Sequence, residues 1–426
     1  MRREEWKLAQ ASHAREAPCR HGQLPPWFVE SIIHEATRGH AAARLPPPAL
    51  HAADCPTLST PISSPTSADV DVDADTDADA DVHADRTLRL QTWLAAIGPR
   101  HGLQLGSLRS ASSDASFRRY FRIDAVAGAS FIVMDAPPPQ EDVRPFIRVA
   151  ALITAAGLTA PEVLDADVDA GFLLLTDLGS QLYLQALQEA AESGDTKAAD
   201  RLMRDAIRAL VQLQLTADAS QLPPYDEALL KRELALFPEW CVQREHGVSW
   251  TAEEEATWQS ACEVLVASAL AQPRVAVHRD YMPRNLMIVA PAKANPGILD
   301  FQDAVHGPIT YDIASLLRDA FLSWDEEQEI DWAVRYWQAA RKAGLEMPDD
   351  FGEFWRQLEW MGLQRHLKVL GIFCRLKHRD GKPAYSADLP RFFAYAHKVS
   401  SRYNALRPLS RLLEPLMGAE RIEVYR

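Results

Sequence analysis

The sequence predicts a two-lobed α+β protein: a small β-rich lobe, then a mostly helical lobe, with a disordered leader ahead of both. Three observations carry that expectation. Residues 1–85 are low in complexity, residues 86–179 alternate helical patterns with short apolar strands, and residues 180–426 carry mainly helix-spaced apolar stripes interrupted by one β island.

In the leader, RLPPPALHAADCPTLSTPISSPTSAD is rich in proline, serine and threonine, and DVDVDADTDADADVHAD at 69–85 places aspartate at nearly every second position. Alternating aspartate resembles a calcium loop, but the glycine and the closing glutamate of an EF-hand are missing. A solvated acidic tract fits better. A short helix is expected around PPWFVESIIHEAT at 25–37, without chemistry of its own.

From Arg86 the texture becomes globular. RTLRLQTWLAAIG spaces Leu88, Leu90, Trp93, Leu94 and Ile97 as one helix face, with Gly98 and Pro99 as its stop. SFRRYFRIDAV and SFIVMDAPPP read as strands, the second stopped by three prolines. EDVRPFIRVAALITAAG is a helix burying Phe146, Val149, Ala150 and Ile153, and PEVLDAD and GFLLLTDLG read as two further strands. Beyond Gly179, Leu202, Ala206, Leu210 and Leu213 form a helical stripe, and Thr251 with Glu254 makes a capping box. The β island comprises RVAVHRD, NLMIVAP and GILDFQD.

A chain of 426 residues, 47% hydrophobic, can bury a large core. Its net charge of -14 opposes generic nucleic-acid binding, which needs a basic surface. No apolar run is long enough for a membrane span and the start lacks a secretory h-region, so a cytoplasmic protein, expected to be a monomer, follows. Five scattered cysteines, Cys19, Cys55, Cys241, Cys262 and Cys374, fit neither a disulfide framework nor a zinc site. Cys262 and Cys374 read as small apolar core residues.

Chemistry concentrates in VAVHRDYMPRNLMIV, 275–289. Residues 275–277 and 286–289 flank a polar loop, and 297–301 is expected to return beside them, bringing Asp280, Asn285 and Asp300 to one strand edge. Asp280 can accept a hydroxyl proton, while Asn285 and Asp300 offer hard oxygens suited to magnesium. H-R-D-x-x-x-x-N followed by a D-F aspartate is the arrangement of kinase catalytic and metal loops. The competing reading is structural, with Asp280 and Asn285 satisfying turn amides and Asp300 capping a strand end.

HRDYMPRN with LDFQD resembles the aminoglycoside phosphotransferase and choline kinase-like superfamily. Together with SDASFRRYFR, SFIVMDAPP, LFPEW, LDFQDAVHGPITYDIASLLRD and MGLQRHLKVLGIFCRL, the likeness is closest to the bacterial anomeric kinases of N-acetylmuramate and N-acetylglucosamine, and it spans roughly residues 86–420. It implies a protein-kinase-like fold with ATP in the cleft between lobes and a role in peptidoglycan recycling. It also implies that Asp280 orients or deprotonates the C1 hydroxyl, and that Asn285 and Asp300 hold Mg2+ on ATP.

Further roles follow from the same resemblance. Ser113, Ala115 and Ser116 are small enough for a hairpin backbone to approach phosphates, an ordinary turn being the alternative. Thr176, Asp177 and Leu178 resemble the adenine hinge, against a plain strand end. Met134 stands where a kinase carries its phosphate-binding lysine, leaving Arg118, Arg119 and Arg122 as candidate cations or as a solvated face. His278 braces the loop; Asp312 either does so or caps the following helix. Trp240, Asp303 and Arg365 are candidate sugar contacts, with His366 and Lys368 beside Arg365; core packing or surface charge is the alternative for each. A kinase of another alcohol, such as an aminoglycoside or choline, and a nucleotide-binding pseudokinase are the rival functions.

Overall fold

The computed structural model describes residues 74–113, 117–290, 295–319 and 321–417. The helix expected at 25–37, together with Cys19, Cys55, Ala115 and Ser116, lies outside the described residues. The described chain divides into two compact units. One holds the residues up to Glu141 with Asp165–Leu174; the other holds Asp142–Leu164 and everything from Leu175 onward.

In the first unit, helix α1 (Ala74–His101) begins within the aspartate tract, ahead of Arg86. It also outlasts the expected stop, because Pro99 is accommodated inside its last turns. The end comes at Gly102, whose φ of 64° turns the chain so that the Leu103 N–H bonds the Gly98 carbonyl at 3.0 Å. Leu90, Leu94 and Ile97 pack on Ile123, Val133, Phe172 and Leu174, whereas Leu88 is 62% exposed and leaves the stripe.

Strands β1 (Arg109–Ser113), β2 (Arg119–Asp124), β3 (Ser130–Asp135), β4 (Val163–Asp167) and β5 (Phe172–Thr176) form a five-stranded sheet in the order β1-β2-β3-β5-β4. β1 is one strand more than the apolar patterning showed, since the one apolar side chain of RSASS, Ala111, makes no alternation. In the β2–β3 ladder Arg119 stands opposite Asp135 and Tyr120 opposite Met134.

The second unit is mainly helical. Helix α2 (Arg144–Ala155) buries Phe146, Val149, Ala150 and Ile153 as its spacing requires. Helices α3 (Tyr183–Ser193), α4 (Thr196–Thr216) and α5 (Glu227–Leu234) follow, then a π-helical stretch (Phe237–Glu245) and α6 (Ala252–Leu270). The Thr251–Glu254 capping box closes the start of α6 from both sides. Later come α7 (Tyr311–Leu317), α8 (Glu326–Ala343), α9 (Phe351–His378), α10 (Leu389–Arg402) and α11 (Arg407–Met417). A single core joins Phe237, Trp258, Leu363, Leu367, Phe392 and Leu409, and Cys241, Cys262 and Cys374 are buried in it. Gly371 lets α9 press on the start of the π-helical stretch: a Cβ there would stand 2.5 Å from the Leu236 carbonyl carbon.

The β island differs from its sequence expectation. β6 (Arg274–Val277) pairs with β9 (Val305–Pro308), and β7 (Leu286–Met287) pairs separately with β8 (Gly297–Ile298), each ladder antiparallel. The polar loop 278–285 therefore links two small ladders. VHGP has too little strand character to announce β9 from sequence; the tertiary fold supplies its partner.

Candidate active site

The loop from His278 to Asn285 leaves β6 and ends in a 3₁₀ turn (Pro283–Asn285) that runs straight into β7. Its shape is set from below. Asp312, in the first turn of α7, accepts the backbone N–H of His278 at 2.7 Å and that of Arg279 at 3.0 Å. Helix α7 receives no side-chain cap from Thr310, so this carboxylate braces the loop instead of closing a helix end. Burial pushes the Asp312 carboxyl up to about 6, with His278 and the two N–H groups pulling the other way.

Arg279 holds a left-handed φ of 77° and Asp300 one of 59°. Neither is glycine, so each stores local strain of about 1–3 kcal/mol that the surrounding contacts must hold in place. Both positions lie in the loop system predicted to carry chemistry.

His278 is 2% exposed. Its Nε2–H donates to the Leu299 carbonyl at 2.9 Å, and its Nδ1 accepts the Asp280 N–H at 3.3 Å. One ring nitrogen donating and the other accepting is the neutral imidazole. Burial agrees, pushing its pKa below the ordinary histidine value. His278 thus ties the loop to the segment that carries Asp300.

That segment closes the constellation. Asn285 Nδ2 donates to the Asp280 carbonyl at 2.9 Å and reaches Asp300 Oδ2 at 3.5 Å, while Gln302 Nε2 donates to Asp300 Oδ1 at 2.8 Å. The Leu299 N–H bonds the Asn285 carbonyl at 2.9 Å. Asp280, Asn285 and Asp300 are brought together, and the fixed Asn285 amide directs its nitrogen to the two acceptors. Its Oδ1, the harder donor, is not spent on either bond. An amide oxygen and a carboxylate fit a magnesium ion that keeps its other positions for phosphate oxygens and water. Among the described residues no group of three or more His, Cys, Asp or Glu side chains could hold a metal ion.

Around Asp280 stands a cluster of buried charge. Arg365, 3% exposed on α9, brings Nη2 to 3.7 Å from Asp280 Oδ1, and its Nη1 makes no hydrogen bond. One turn on, Lys368 Nζ donates to the Tyr311 hydroxyl at 3.1 Å and stands 3.2 Å from Glu233 Oε1. Glu233 also receives Arg279, the Tyr225 hydroxyl and Gln364 Nε2. Burial alone would raise the Asp280 carboxyl, but Lys368, Arg365 and Arg279 together hold it below the usual carboxylate range. Asp280 is therefore an ionised acceptor, able to orient a hydroxyl and receive its proton.

Glu233 is the residue that sequence reasoning missed. In EALLKREL it looks like one more charge on an amphipathic helix. The available signal lay on the other helix, where Gln364, Arg365 and Lys368 fall among the buried, mostly apolar residues Leu363, Leu367 and Leu370 of α9.

The remaining sequence candidates are placed as follows. Arg119 Nε bonds the buried Asp135 at 2.9 Å, and Arg86 Nη2 meets the other carboxylate oxygen at 2.6 Å. Arg118 Nε lies 3.6 Å from Glu141. Met134, opposite Tyr120, is buried. Ser113 pairs with Arg119 at the end of the β1–β2 ladder. Thr176 Oγ1 accepts the Glu162 N–H at 2.9 Å, Asp177 Oδ1 accepts the Gly179 N–H at 2.9 Å, and Leu178 packs with Met287 and Val289. Asp303 is exposed, His366 is buried, and Trp240 packs on the helical core. Arg318, just past α7, pairs with Glu329 and Glu359.

A family model described as "Phosphotransferase enzyme family" matches residues 107–351. The chain belongs to that family. The phosphotransferase is 51% identical over 316 residues to a Pseudomonas putida protein named N-acetylmuramate/N-acetylglucosamine kinase, covering 74% of this chain and 90% of that one. A Neisseria meningitidis protein of the same name is 46% identical over 338 residues, covering 79% and 98%. Among solved structures, a Plasmodium vivax ethanolamine kinase matches this phosphotransferase with a TM-score of 0.50 at 11% identity, covering 70% of this chain and 84% of that one. At that identity the likeness shows the fold alone, the kinase-like architecture expected from sequence. No helix among the described residues is long and apolar enough to cross a membrane.

Proposed function

We propose that this phosphotransferase transfers the γ-phosphoryl group of ATP to the anomeric hydroxyl of N-acetylmuramate or N-acetylglucosamine, in the recycling of peptidoglycan sugars. The observation that carries the reading is the hydrogen-bonded grouping of Asp280 and Asn285, on a loop braced by Asp312, with Asp300 on the segment after β8. The substrate class is supported by the names of the relatives at 51% and 46% identity.

Asp280 accepts the hydrogen bond of the C1 hydroxyl and aims its oxygen at the phosphorus. A hemiacetal hydroxyl is more acidic than an ordinary alcohol, so a weakly basic carboxylate suffices, and positioning provides most of the acceleration. Asn285 Oδ1 and the Asp300 carboxylate would hold Mg2+, which neutralises phosphate charge when bound. The backbone at Thr176–Leu178 fits an adenine contact, and the β1–β2 hairpin at Ser113 with Arg118 is the corresponding candidate for the phosphates. Arg119 is the second phosphate candidate; each of the two arginines already faces a carboxylate, Arg118 that of Glu141 and Arg119 that of Asp135.

Phosphorus NMR of a reaction with ATP, Mg2+ and either sugar tests the proposal. A sugar 1-phosphate resonance is the expected product. ATP turnover that is seen only with choline or an aminoglycoside would replace this reading with another alcohol acceptor, and no turnover with any of them would leave a nucleotide-binding protein.

A further inference from the structure

Four basic side chains belong to the catalytic loop or crowd against it: Arg279, Arg284, Arg365 and Lys368. Three face a carboxylate. Arg279 and Lys368 share Glu233, and Arg365 faces Asp280. Arg284 is the exception, meeting no carboxylate among the described residues. Its guanidinium lies over the Phe321 ring, 5.0 Å from the ring centre, and both side chains are half-buried.

A ring contact of this kind engages the charge of the guanidinium without pairing it to a carboxylate, and the side chain carries five N–H donors. Those donors form the planar fork that matches a carboxylate through two parallel hydrogen bonds. The position is equally specific. Arg284 sits in the turn Pro283–Asn285, four residues after Asp280 and next to Asn285, so its backbone is fixed by the same hydrogen bonds that fix the catalytic groups. Phe321 packs against the C-terminal helical core, which restrains the guanidinium further.

We propose that Arg284, steadied by Phe321, is the specificity-determining residue that binds the carboxylate of an acidic amino sugar, the feature by which N-acetylmuramate differs from N-acetylglucosamine. This rests on the sugar-kinase reading given above. A sugar whose C1 hydroxyl is at Asp280 carries its lactyl carboxylate two ring carbons away, on the same small molecule. Arg365 is the less suitable reader: its Nη2 is turned to Asp280 and its Nη1 is enclosed by protein.

The test is steady-state kinetics of the full chain, Arg284→Gln and Arg284→Lys with N-acetylmuramate, N-acetylglucosamine and the neutral carboxamide of N-acetylmuramate. For Arg284→Gln the expected loss in kcat/KM is about 10- to 100-fold with N-acetylmuramate, the worth of a charge-assisted hydrogen bond. N-acetylglucosamine and the carboxamide should change less than about twofold, which also shows that the variant folds, and the KM for ATP should be unchanged. Arg284→Lys, which keeps the charge and loses the fork, should fall between. An equal loss with all three sugars, or a raised KM for ATP, would overturn the proposal and point to a phosphate contact. Wild-type protein inactive on both natural sugars would instead overturn the sugar-kinase reading, and wild-type activity confined to N-acetylglucosamine would overturn only the role of Arg284.

Discussion

Asp312 holds Arg279 by its backbone: the carboxylate accepts the N–H at 3.0 Å while Arg279 keeps a φ of 77°. A residue of α7 thereby maintains a strained conformation one residue ahead of the proposed base. In Asp312→Asn one of the two backbone N–H groups would face an amide NH2 and lose its acceptor. The expected outcome is a stability loss of about 1–3 kcal/mol in urea unfolding, with turnover reduced by more than the unfolded fraction explains. Unchanged turnover would show that the loop keeps its shape without the brace.

Asp280→Asn removes the proton acceptor but preserves the shape of the side chain. Turnover should fall by about 10²- to 10⁴-fold. Nucleotide affinity, measured separately by calorimetry, should stay within about threefold of wild type, since Asp280 contacts the sugar hydroxyl in this scheme.

Asp300→Asn weakens the proposed metal pair while leaving its hydrogen bond to Gln302 possible. The Mg2+ concentration for half-maximal activity should rise by about tenfold or more, and chelation of Mg2+ should abolish wild-type activity reversibly. An unaltered Mg2+ requirement would remove Asp300 from metal binding.

Glu233 yields a prediction about acid stability. Burial raises its carboxyl, but Lys368 and Arg279 more than reverse this, leaving it at about 2 against an ordinary 4.5. The folded value lies below the unfolded one, so the folded protein binds fewer protons between them. Stability from Glu233 is therefore complete above 4.5 and disappears as pH falls toward 2. Glu233→Gln should be less stable than wild type by on the order of 3 kcal/mol near neutral pH, and the gap should narrow steadily on acidification.

Arg318 tests the framework beneath the site. It is 1% exposed and bonds Glu329 at 3.1 Å and Glu359 at 3.0 Å; Glu359 is also met by Arg402 and by the Tyr403 hydroxyl. Arg318→Ala would strand the buried Glu329 carboxylate and remove one of the three groups that meet Glu359, and should lower stability by about 3–5 kcal/mol, read as a reduced denaturant midpoint. A shift within about 0.5 kcal/mol would mean that Arg402 and Tyr403 suffice.

The parts of the site that could be read in advance are those made by short-range spacing. Asp280 and Asn285 lie within one loop, Asp300 follows after a single ladder, and His278 is adjacent, so the pattern survives as a string of letters. The capping box at Thr251 and the buried face of α2 were legible for the same reason: each depends on residues three or four apart. Glu233 was not, because its worth comes from Lys368, Arg279 and Gln364, which are far away in the chain and look unremarkable beside their own neighbours.

By itself the sequence determined the class of fold, the family and the loop that holds the candidate catalytic residues, because helix period, strand alternation and motif spacing are local properties of the chain. Tertiary structure alone decided that β6 pairs with β9, that Asp312 braces the loop, and which basic groups are spent on carboxylates. Pairing and charge compensation depend on distance in space, and a buried ion pair stabilises or strains a site according to which partners the fold brings within reach. Arg284 shows the difference most plainly. As a letter in HRDYMPRN it is one more arginine; in the fold, the carboxylates around the loop have gone to its neighbours, and its guanidinium rests on Phe321.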